Sequence, residues 1–288
     1  MLVSATEMIN KAHEGHYAIG AFNINNMEWI KAILLGCEAK KSPVMLGVSE
    51  GAGKYMCGFD TVVAMVKNIH DSLGITVPVA LHLDHGTYEG AKAAIAAGFT
   101  SVMFDGSHYA FEENLAKSKE MIELAHSKGL SIECEVGGIG GTEDGVTSNG
   151  ELADPEECAT IANLGVDFLA AGIGNIHGKY PADWAGLNFD RLAEIQKSTN
   201  GKPLVLHGGS SNKDEEIAEA VKNGICKINI SSDIKVAFYE QARKTLNENP
   251  GYREPLEIYP AAMEACGKVC ADKIRLFNSQ DKVKCYYE

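Results

Sequence analysis

Three histidines and one aspartate define the chemistry open to this chain. Leu81–Gly86 reads Leu-His-Leu-Asp-His-Gly and follows Val77-Pro-Val-Ala, so an apolar run ends in three ionisable side chains and a glycine. Runs of this length, opened by proline and closed by glycine, form buried strands. A buried strand does not set Asp84 beside His85 at its exit without a partner, because unpaired buried charge is costly. A metal ion is the natural partner: neutral imidazole ligates zinc, and an adjacent carboxylate can move protons beside it. Alternation along a strand sends Asp84 and His85 to different sides, so both reach one site only where the strand end loosens. The competing reading makes His82 and His85 hydrogen-bonded core histidines.

The elements that must position these residues repeat strand, then helix, along one uninterrupted chain. A leading helix at Ser4–His13 comes first, placed to close a barrel floor. Strands are expected at Tyr17–Phe22, Pro43–Val48, Val77–Leu83, Thr100–Phe104, Leu130–Val136, Val166–Ile173, Pro203–Leu206 and Ile225–Ile230. Helices follow at Met27–Lys40, Phe59–Ser72, Tyr88–Ala97, Phe111–Ser127, from Asp154, and at Asn188–Ser198, Asp214–Asn223 and Asp233–Asn247, with a long final helix over Pro255–Arg275. Eight such units without a linker predict an α/β fold, a single (β/α)8 TIM barrel with extra terminal helices, spanning 1–288 as one domain.

Chemistry in such barrels sits at the C-terminal ends of the strands. Read in order, those ends carry Asn23 and Asn25, Ser49, Asp84 and His85, Asp105, Glu135, Asn175 and His177, His207, then Asn229, Ser231 and Ser232. His85, His177 and His207 together offer three nitrogen ligands with positions left open, which suits a catalytic rather than a structural zinc. The ends of the seventh and eighth strands, His207-Gly-Gly-Ser-Ser and Asn229-Ile-Ser-Ser-Asp, suit a phosphate cradle backed by a helix N-terminus. Ordinary helix capping by the same serines is the alternative. The glycine-rich segment from Gly137 reads as a loop able to close over the site and present Glu143 or Asp144 as a base. Lys227, inside the eighth strand, offers a second chemistry: a lysine within a barrel can form a Schiff base with a ketone. That reading leaves the three histidines without a role.

Bulk properties narrow the class. A net charge of −13 argues against a nucleic-acid partner, which requires a basic footprint. No apolar run approaches the roughly 18 residues of a membrane span, and the opening Met-Leu-Val-Ser-Ala-Thr-Glu lacks a secretory pattern. The scattered cysteines form no CxxC pair, and Cys266 and Cys270 share a helical face in packing. A cytoplasmic protein with reduced thiols is expected.

With these residues assembled, the chain resembles the class II, metal-dependent fructose-bisphosphate aldolases, a group that includes tagatose-bisphosphate aldolases. The resemblance runs essentially end to end. It is carried by Gly20-Ala-Phe-Asn-Ile-Asn-Asn, Leu46-Gly-Val-Ser-Glu-Gly-Ala-Gly, Leu81-His-Leu-Asp-His-Gly, Ser101-Val-Met-Phe-Asp-Gly-Ser-His, Glu133-Cys-Glu-Val-Gly-Gly-Ile-Gly-Gly-Thr-Glu-Asp-Gly, Gly174-Asn-Ile-His-Gly-Lys-Tyr, Leu206-His-Gly-Gly-Ser and Lys227-Ile-Asn-Ile-Ser-Ser-Asp. It implies a lyase that reversibly cleaves fructose 1,6-bisphosphate to dihydroxyacetone phosphate and glyceraldehyde 3-phosphate, with zinc stabilising the enediolate charge. His85, His177 and His207 would hold the zinc. Asp84 would exchange the proton of the C4 oxygen, and Glu143 would handle the dihydroxyacetone-phosphate proton. Asp105 and Glu135 match an alternative or second divalent metal position. Gly178, Lys179, Gly208, Gly209, Ser210, Asn229, Ile230, Ser231 and Ser232 match the phosphate cradle, where a monovalent cation, Na+ or K+, is often held. Asn23 joins the substrate set, and Ser49 matches a residue near the aldehyde half. Homodimers or homotetramers are usual.

The chain departs from the family pattern where the far phosphate is gripped. Met263 stands where many members carry an arginine, and Leu256 replaces another just before it. Ser231 stands where fructose enzymes carry Asp or Asn, while tagatose enzymes have a small residue there. Arg253 is a candidate replacement. Losing a bidentate phosphate contact is a substantial change, so tagatose 1,6-bisphosphate and a ketose phosphate lacking the far phosphate remain open as substrates. A non-catalytic sugar-phosphate-binding barrel is the remote alternative.

Overall fold

The computed structural model describes residues 2–286 other than 144, 145, 179 and 211, and the side chains of Glu143, Val146 and Cys285 are not among those described. The chain opens with α1 (Ala5–Glu14), β1 (Ile19–Asn23), α2 (Met27–Ala39), β2 (Val44–Val48), α3 (Glu50–Tyr55) and α4 (Phe59–Ser72). It continues through β3 (Val79–Gly86), α5 (Tyr88–Ala97), β4 (Ser101–Phe104), α6 (Phe111–Ser127), β5 (Ser131–Val136), β6 (Gly140–Glu143) and β7 (Val146–Ser148). Then come α7 (Pro155–Ala162), β8 (Phe168–Ala171), β9 (Ile176–His177), α8 (Phe189–Ser198) and β10 (Leu204–Leu206). The last elements are α9 (Asp214–Lys222), β11 (Ile225–Ile230), α10 (Ser232–Glu248) and α11 (Pro255–Leu276).

Eight of these strands close a parallel barrel in the order β1-β2-β3-β4-β5-β8-β10-β11, with β11 pairing back onto β1. The expected barrel is the observed one. The helices start where the sequence supplies caps. Ser4, Asn26, Thr87 and Asp154 each accept a backbone N–H of the following turn, and Gly98, in the left-handed region, ends α5.

Two cores result from the alternation along the strands. Between strands and helices pack Phe22, Leu46, Leu81, Phe104, Leu169 and Ile228, all fully buried. Inside the barrel lie smaller side chains, Ala21, Met45, Ala80, Met103, Ala170 and Val205, plugged from below by Ala5, Met8, Ile9 and Ala12 of α1. Each large side chain so buried contributes about 1.5–3 kcal/mol. The leading helix therefore seals the floor, and the polar mouth is left at the other end.

Two elements depart from expectation. A short helix, α3, follows β2 directly, with Ser49 as its cap. The segment expected as a glycine-rich loop is instead ordered as a small sheet: β6 pairs antiparallel with β7 and parallel with β9. A local hairpin partner, β7, and a second one more than thirty residues on, β9, together convert a flexible-looking sequence into a ladder.

Candidate active site

The end of β3 departs from regular alternation. His82 and Leu83 pair with Ser101 and Val102, but Gly86 pairs with Phe104, so β3 spends three residues where β4 spends two. The bulge places His85 at φ 47°, a left-handed conformation that costs a non-glycine residue about 1–3 kcal/mol. This is the loosening that turns Asp84 and His85 to the same mouth. The His85 amide donates to Met103 Sδ at 3.4 Å, which fixes the bulged turn.

Asp84 is buried and held by two amides, accepting from Asn23 Nδ2 at 2.9 Å and Asn229 Nδ2 at 2.8 Å. Burial works to raise its pKa, but the charges of His85, His207 and Lys227 outweigh burial and hold the carboxyl well below the usual range. An ionised, oriented carboxylate 4.0 Å from His207 Nδ1 can accept a proton from a group bound beside it.

His85, His177 and His207 converge edge-on, with ring centroids 4.5 Å apart for His85–His207, 4.8 Å for His85–His177 and 5.8 Å for His177–His207. One nitrogen from each lies within 4.8 Å of the others. Two of the rings are anchored through the opposite nitrogen: His85 Nδ1 to Asp105 Oδ2 at 2.8 Å, and His207 Nε2 to Glu133 Oε1 at 2.7 Å. Their inward nitrogens, His85 Nε2 and His207 Nδ1, are buried and meet no hydrogen-bond partner in the protein. A carboxylate on one ring nitrogen and a lone pair left on the other is the arrangement of a metal-ligating histidine. Burial, reinforced by His85, lowers His207 to about 4 and His177 to about 3, so both rings are neutral, the form that binds a cation.

The surroundings carry an excess of negative charge. Burial would lower His85, but the Asp105 hydrogen bond and the Asp84 and Glu135 charges push it up to about 10, so a cation bound at its Nε2 takes the place of a proton there. Glu135 is raised well above the carboxylate range by burial and by Asp105. Asp105, Glu135 and His85 form a second convergent group whose ligand atoms also lie within 4.8 Å of one another. These donor sets fit a divalent cation.

Below the histidines lies a network that the sequence reading did not assign. Glu133 is fully buried and accepts from Lys227 Nζ at 2.7 Å as well as from His207, and His82 Nε2 approaches it at 3.3 Å. His82 closes on Ser101 Oγ through Nδ1 at 2.8 Å. Lys227 does lie inside the barrel, but its ammonium is committed to the ion pair with Glu133, which argues against a free amine for Schiff-base chemistry. The signal was present as Glu133-Cys-Glu135 and Lys227-Ile-Asn229, period-two pairs that put both members of each on the barrel interior.

The cradle residues gather on the other side of Asp84. Gly178, Gly208, Ser210, Asn229, Ser231 and Ser232 line a small cavity with Asn23, Asp84 and His177. Gly208 is required there: its φ is 67° and a Cβ would lie 2.1 Å from Ile176 O. Gly209 is equally close-packed, against Ile228 Cγ2 at 2.3 Å. Ser210 Oγ accepts from the Asp233 amide in the first turn of α10 at 3.3 Å, and Ser231 Oγ and Asn229 Oδ1 are buried without a hydrogen-bond partner. Ile230 contributes backbone only, since its side chain is in the outer core. Ser49 lies at the mouth with its hydroxyl engaged as the α3 cap, accepting from Ala52 N at 3.2 Å. The Glu143 side chain, Asp144, Lys179 and Ser211 lie outside the described residues.

A larger cleft of about 590 Å³ opens from His85 and His177 toward Glu50, Asp105, Glu135 and Glu151, with no Lys or Arg among its described lining. Arg253 does not replace the missing arginines here, because its guanidinium donates to the carbonyls of Pro250 and Tyr252 in its own loop, at 2.6 and 2.7 Å. Met263 and Leu256 lie along a separate groove between α2 and α11.

Residues 3–282 match the family model described as fructose-bisphosphate aldolase class-II. The chain belongs to the class II fructose-bisphosphate aldolase family. Among relatives, it is 50% identical to a fructose-bisphosphate aldolase of Mycoplasma pneumoniae, over 98% of this chain and 100% of that one. A fructose-bisphosphate aldolase of Streptococcus pyogenes is 45% identical, over 98% and 99% of the two chains. The crystal structure of the YdjI aldolase from Escherichia coli K12 superposes with a TM-score of 0.82 at 30% identity, covering 98% of this chain and all of that one. The chain is accordingly a class II aldolase, a lyase of a family that depends on a divalent metal, and the histidine cluster at the barrel mouth is where such an ion fits.

Proposed function

We propose that this class II aldolase reversibly cleaves fructose 1,6-bisphosphate into dihydroxyacetone phosphate and glyceraldehyde 3-phosphate, with zinc held by His85, His177 and His207. The observation that carries the reading is Asp84, an ionised carboxylate gripped by two amides beside three convergent imidazoles. A zinc ion there supplies a Lewis acid for the ketone and stabilises the negative charge that develops as the carbon–carbon bond breaks.

The protein's own residues do the rest. The Gly178, Gly208–Ser210 and Asn229–Ser232 backbone and hydroxyls hold the near phosphate, aided by the first turn of α10. Asp84 takes the C4 hydroxyl proton during cleavage and returns it during synthesis. Asn23 and Asn229 keep its oxygens aimed, and Glu133 keeps His207 in the ligating tautomer. Glu143, on the β6–β7 hairpin, exchanges the proton of dihydroxyacetone phosphate, and Lys179 belongs to the substrate-binding set. Asp105 and Glu135 with His85 offer a second divalent position, and Na+ or K+ accompanies the phosphate. We read the enzyme as a cytoplasmic homodimer or homotetramer, supported by the apolar groove between α2 and α11 where Leu256 is 76% exposed. No described helix is long and apolar enough to cross a membrane.

A second reading is favoured by one specific observation: the large cleft is lined by acids, and Arg253 is tied to its own loop. A ketose phosphate without the far phosphate would suit that lining, while tagatose 1,6-bisphosphate, which keeps that phosphate, rests only on Ser231 in the small cavity beside Asp84. Cleavage of fructose and tagatose 1,6-bisphosphates side by side, before and after chelation and with zinc restored, tests both. Zinc-dependent cleavage of the fructose ester supports the proposal. A zinc-dependent preference for tagatose changes the sugar and keeps the chemistry, and silence on both with zinc bound rejects the bisphosphate reading.

A further inference from the structure

The hydroxyl of Tyr180 sits where the segments carrying His177 and His207 meet. It accepts from the Ile176 amide at 3.0 Å and from Asn212 Nδ2 at 3.0 Å, and donates to Gly208 O at 2.9 Å. Ile176 immediately precedes His177, and Gly208 immediately follows His207 and begins the cradle. The two backbones are pressed together at this point, as the missing Cβ of Gly208 shows. The ring is itself held, packing on Trp184 at 4.2 Å between centroids, while the Trp184 indole N–H donates to Gly174 O at 2.8 Å. Asn175 adds a parallel tie, its Nδ2 donating to His207 O at 3.0 Å.

Packing alone does not account for a tyrosine here, because phenylalanine would fill the same space against Trp184. What the hydroxyl adds is three polar contacts that span both segments, two of them to main-chain atoms one residue from a histidine of the cluster. We propose that Tyr180 is a positioning residue whose hydroxyl sets the spacing between the His177 strand and the His207–Ser210 loop, so that metal affinity and phosphate grip are fixed together. This rests on the reading of His177 and His207 as ligands. Loss of groups that orient ligands costs metal affinity by roughly 10- to 100-fold, and displacements of about 1 Å cost comparable factors in rate.

The test compares Tyr180→Phe with Trp184→Phe and His177→Ala in the full chain. The readouts are zinc affinity by competition with a chromogenic chelator, KM and kcat on fructose 1,6-bisphosphate, and the thermal midpoint. Tyr180→Phe is expected to bind zinc about tenfold more weakly and to raise KM, with its midpoint within a few degrees of wild type. Trp184→Phe, which loses an anchor of the same segment without touching the hydroxyl bridge, is expected to keep wild-type zinc affinity. The proposal is overturned by wild-type zinc affinity in Tyr180→Phe, by parallel losses of affinity and midpoint in both aromatic variants, or by a Tyr180→Phe chain that does not fold. His177→Ala separates the layers of argument: full zinc affinity there removes the ligand reading and this proposal with it. Zinc loss in His177→Ala beside an unaffected Tyr180→Phe removes only the latter. The zinc readout stands whatever sugar the enzyme prefers.

Discussion

Replacing Lys227 with Met tests whether the barrel interior depends on a closed charge pair. Both partners are fully buried, and Lys227 supplies the only full positive charge bonded to Glu133 among the described residues. Breaking a buried pair from one side leaves the other charge uncompensated, which costs about 3–5 kcal/mol. His207 and His82 still face Glu133, so the lower part of that range is expected. At about 2–4 °C per kcal/mol for a chain approaching this size, the thermal midpoint should fall by roughly 10 °C. Lys227→Met/Glu133→Gln should recover much of this. The amide oxygen of the introduced glutamine keeps an acceptor for His207 Nε2, and the residual cost is one unsatisfied amide donor, about 1–3 kcal/mol. Denaturant unfolding of the two single variants and the double gives the coupling energy directly. Additive losses, or a Lys227→Met cost below about 1 kcal/mol, would refute the pairing argument. Covalent trapping of substrate on Lys227 by borohydride would refute it more severely, because a lysine committed to Glu133 has no free amine to offer.

Asp84→Ala should reduce cleavage by orders of magnitude while zinc content, measured by elemental analysis, stays at the wild-type level; a near-normal rate would sink its assignment as the proton acceptor. Gly208→Ala should unfold earlier and bind the sugar phosphate poorly, since it combines a left-handed backbone with a Cβ 2.1 Å from Ile176 O; unchanged KM and midpoint would mean the cradle yields freely. Glu38 links α2 to Thr76 and Val77. Burial works to raise its pKa, but hydrogen bonds from Lys41, Thr76 and Val77 hold it at about 2. A carboxylate depressed in the folded state stabilises above its unfolded pKa and loses that contribution as pH falls through its folded one. The stability gap between wild type and Glu38→Gln should therefore be full near neutrality, shrink below the ordinary glutamate value of 4.5 and close toward 2, as followed by urea unfolding at several pH values.

The barrel is legible in the sequence because strand and helix periods alternate cleanly, and because the polar residues at the mouth stand at the ends of apolar runs. The convergence of His85, His177 and His207 follows from that topology. What is not legible depends on contacts distant in sequence. Glu133 and Lys227 are 94 residues apart, and each alone reads as an anomaly within an apolar strand. Gly140–Glu143 reads as a loop because glycine disfavours strands, and its ladder joins a local partner, β7, to a distant one, β9. The β3 bulge is foreseeable as a need, that Asp84 and His85 share a side, but its form comes from the register against β4. Helix α3 is too short to show periodicity.

The parallel ladder between β6 and β9 limits how this enzyme can be recombined. Gly140 pairs with Ile176 and Gly141 with His177, so the hairpin is stitched to the very strand that carries a histidine of the cluster. Cutting out residues 137–150 as a cassette and grafting those of another aldolase would leave half a ladder behind. The transplantable module is discontinuous: the hairpin and the 174–178 segment must travel as one unit, or the donor's hairpin arrives without the rail it was shaped to run beside.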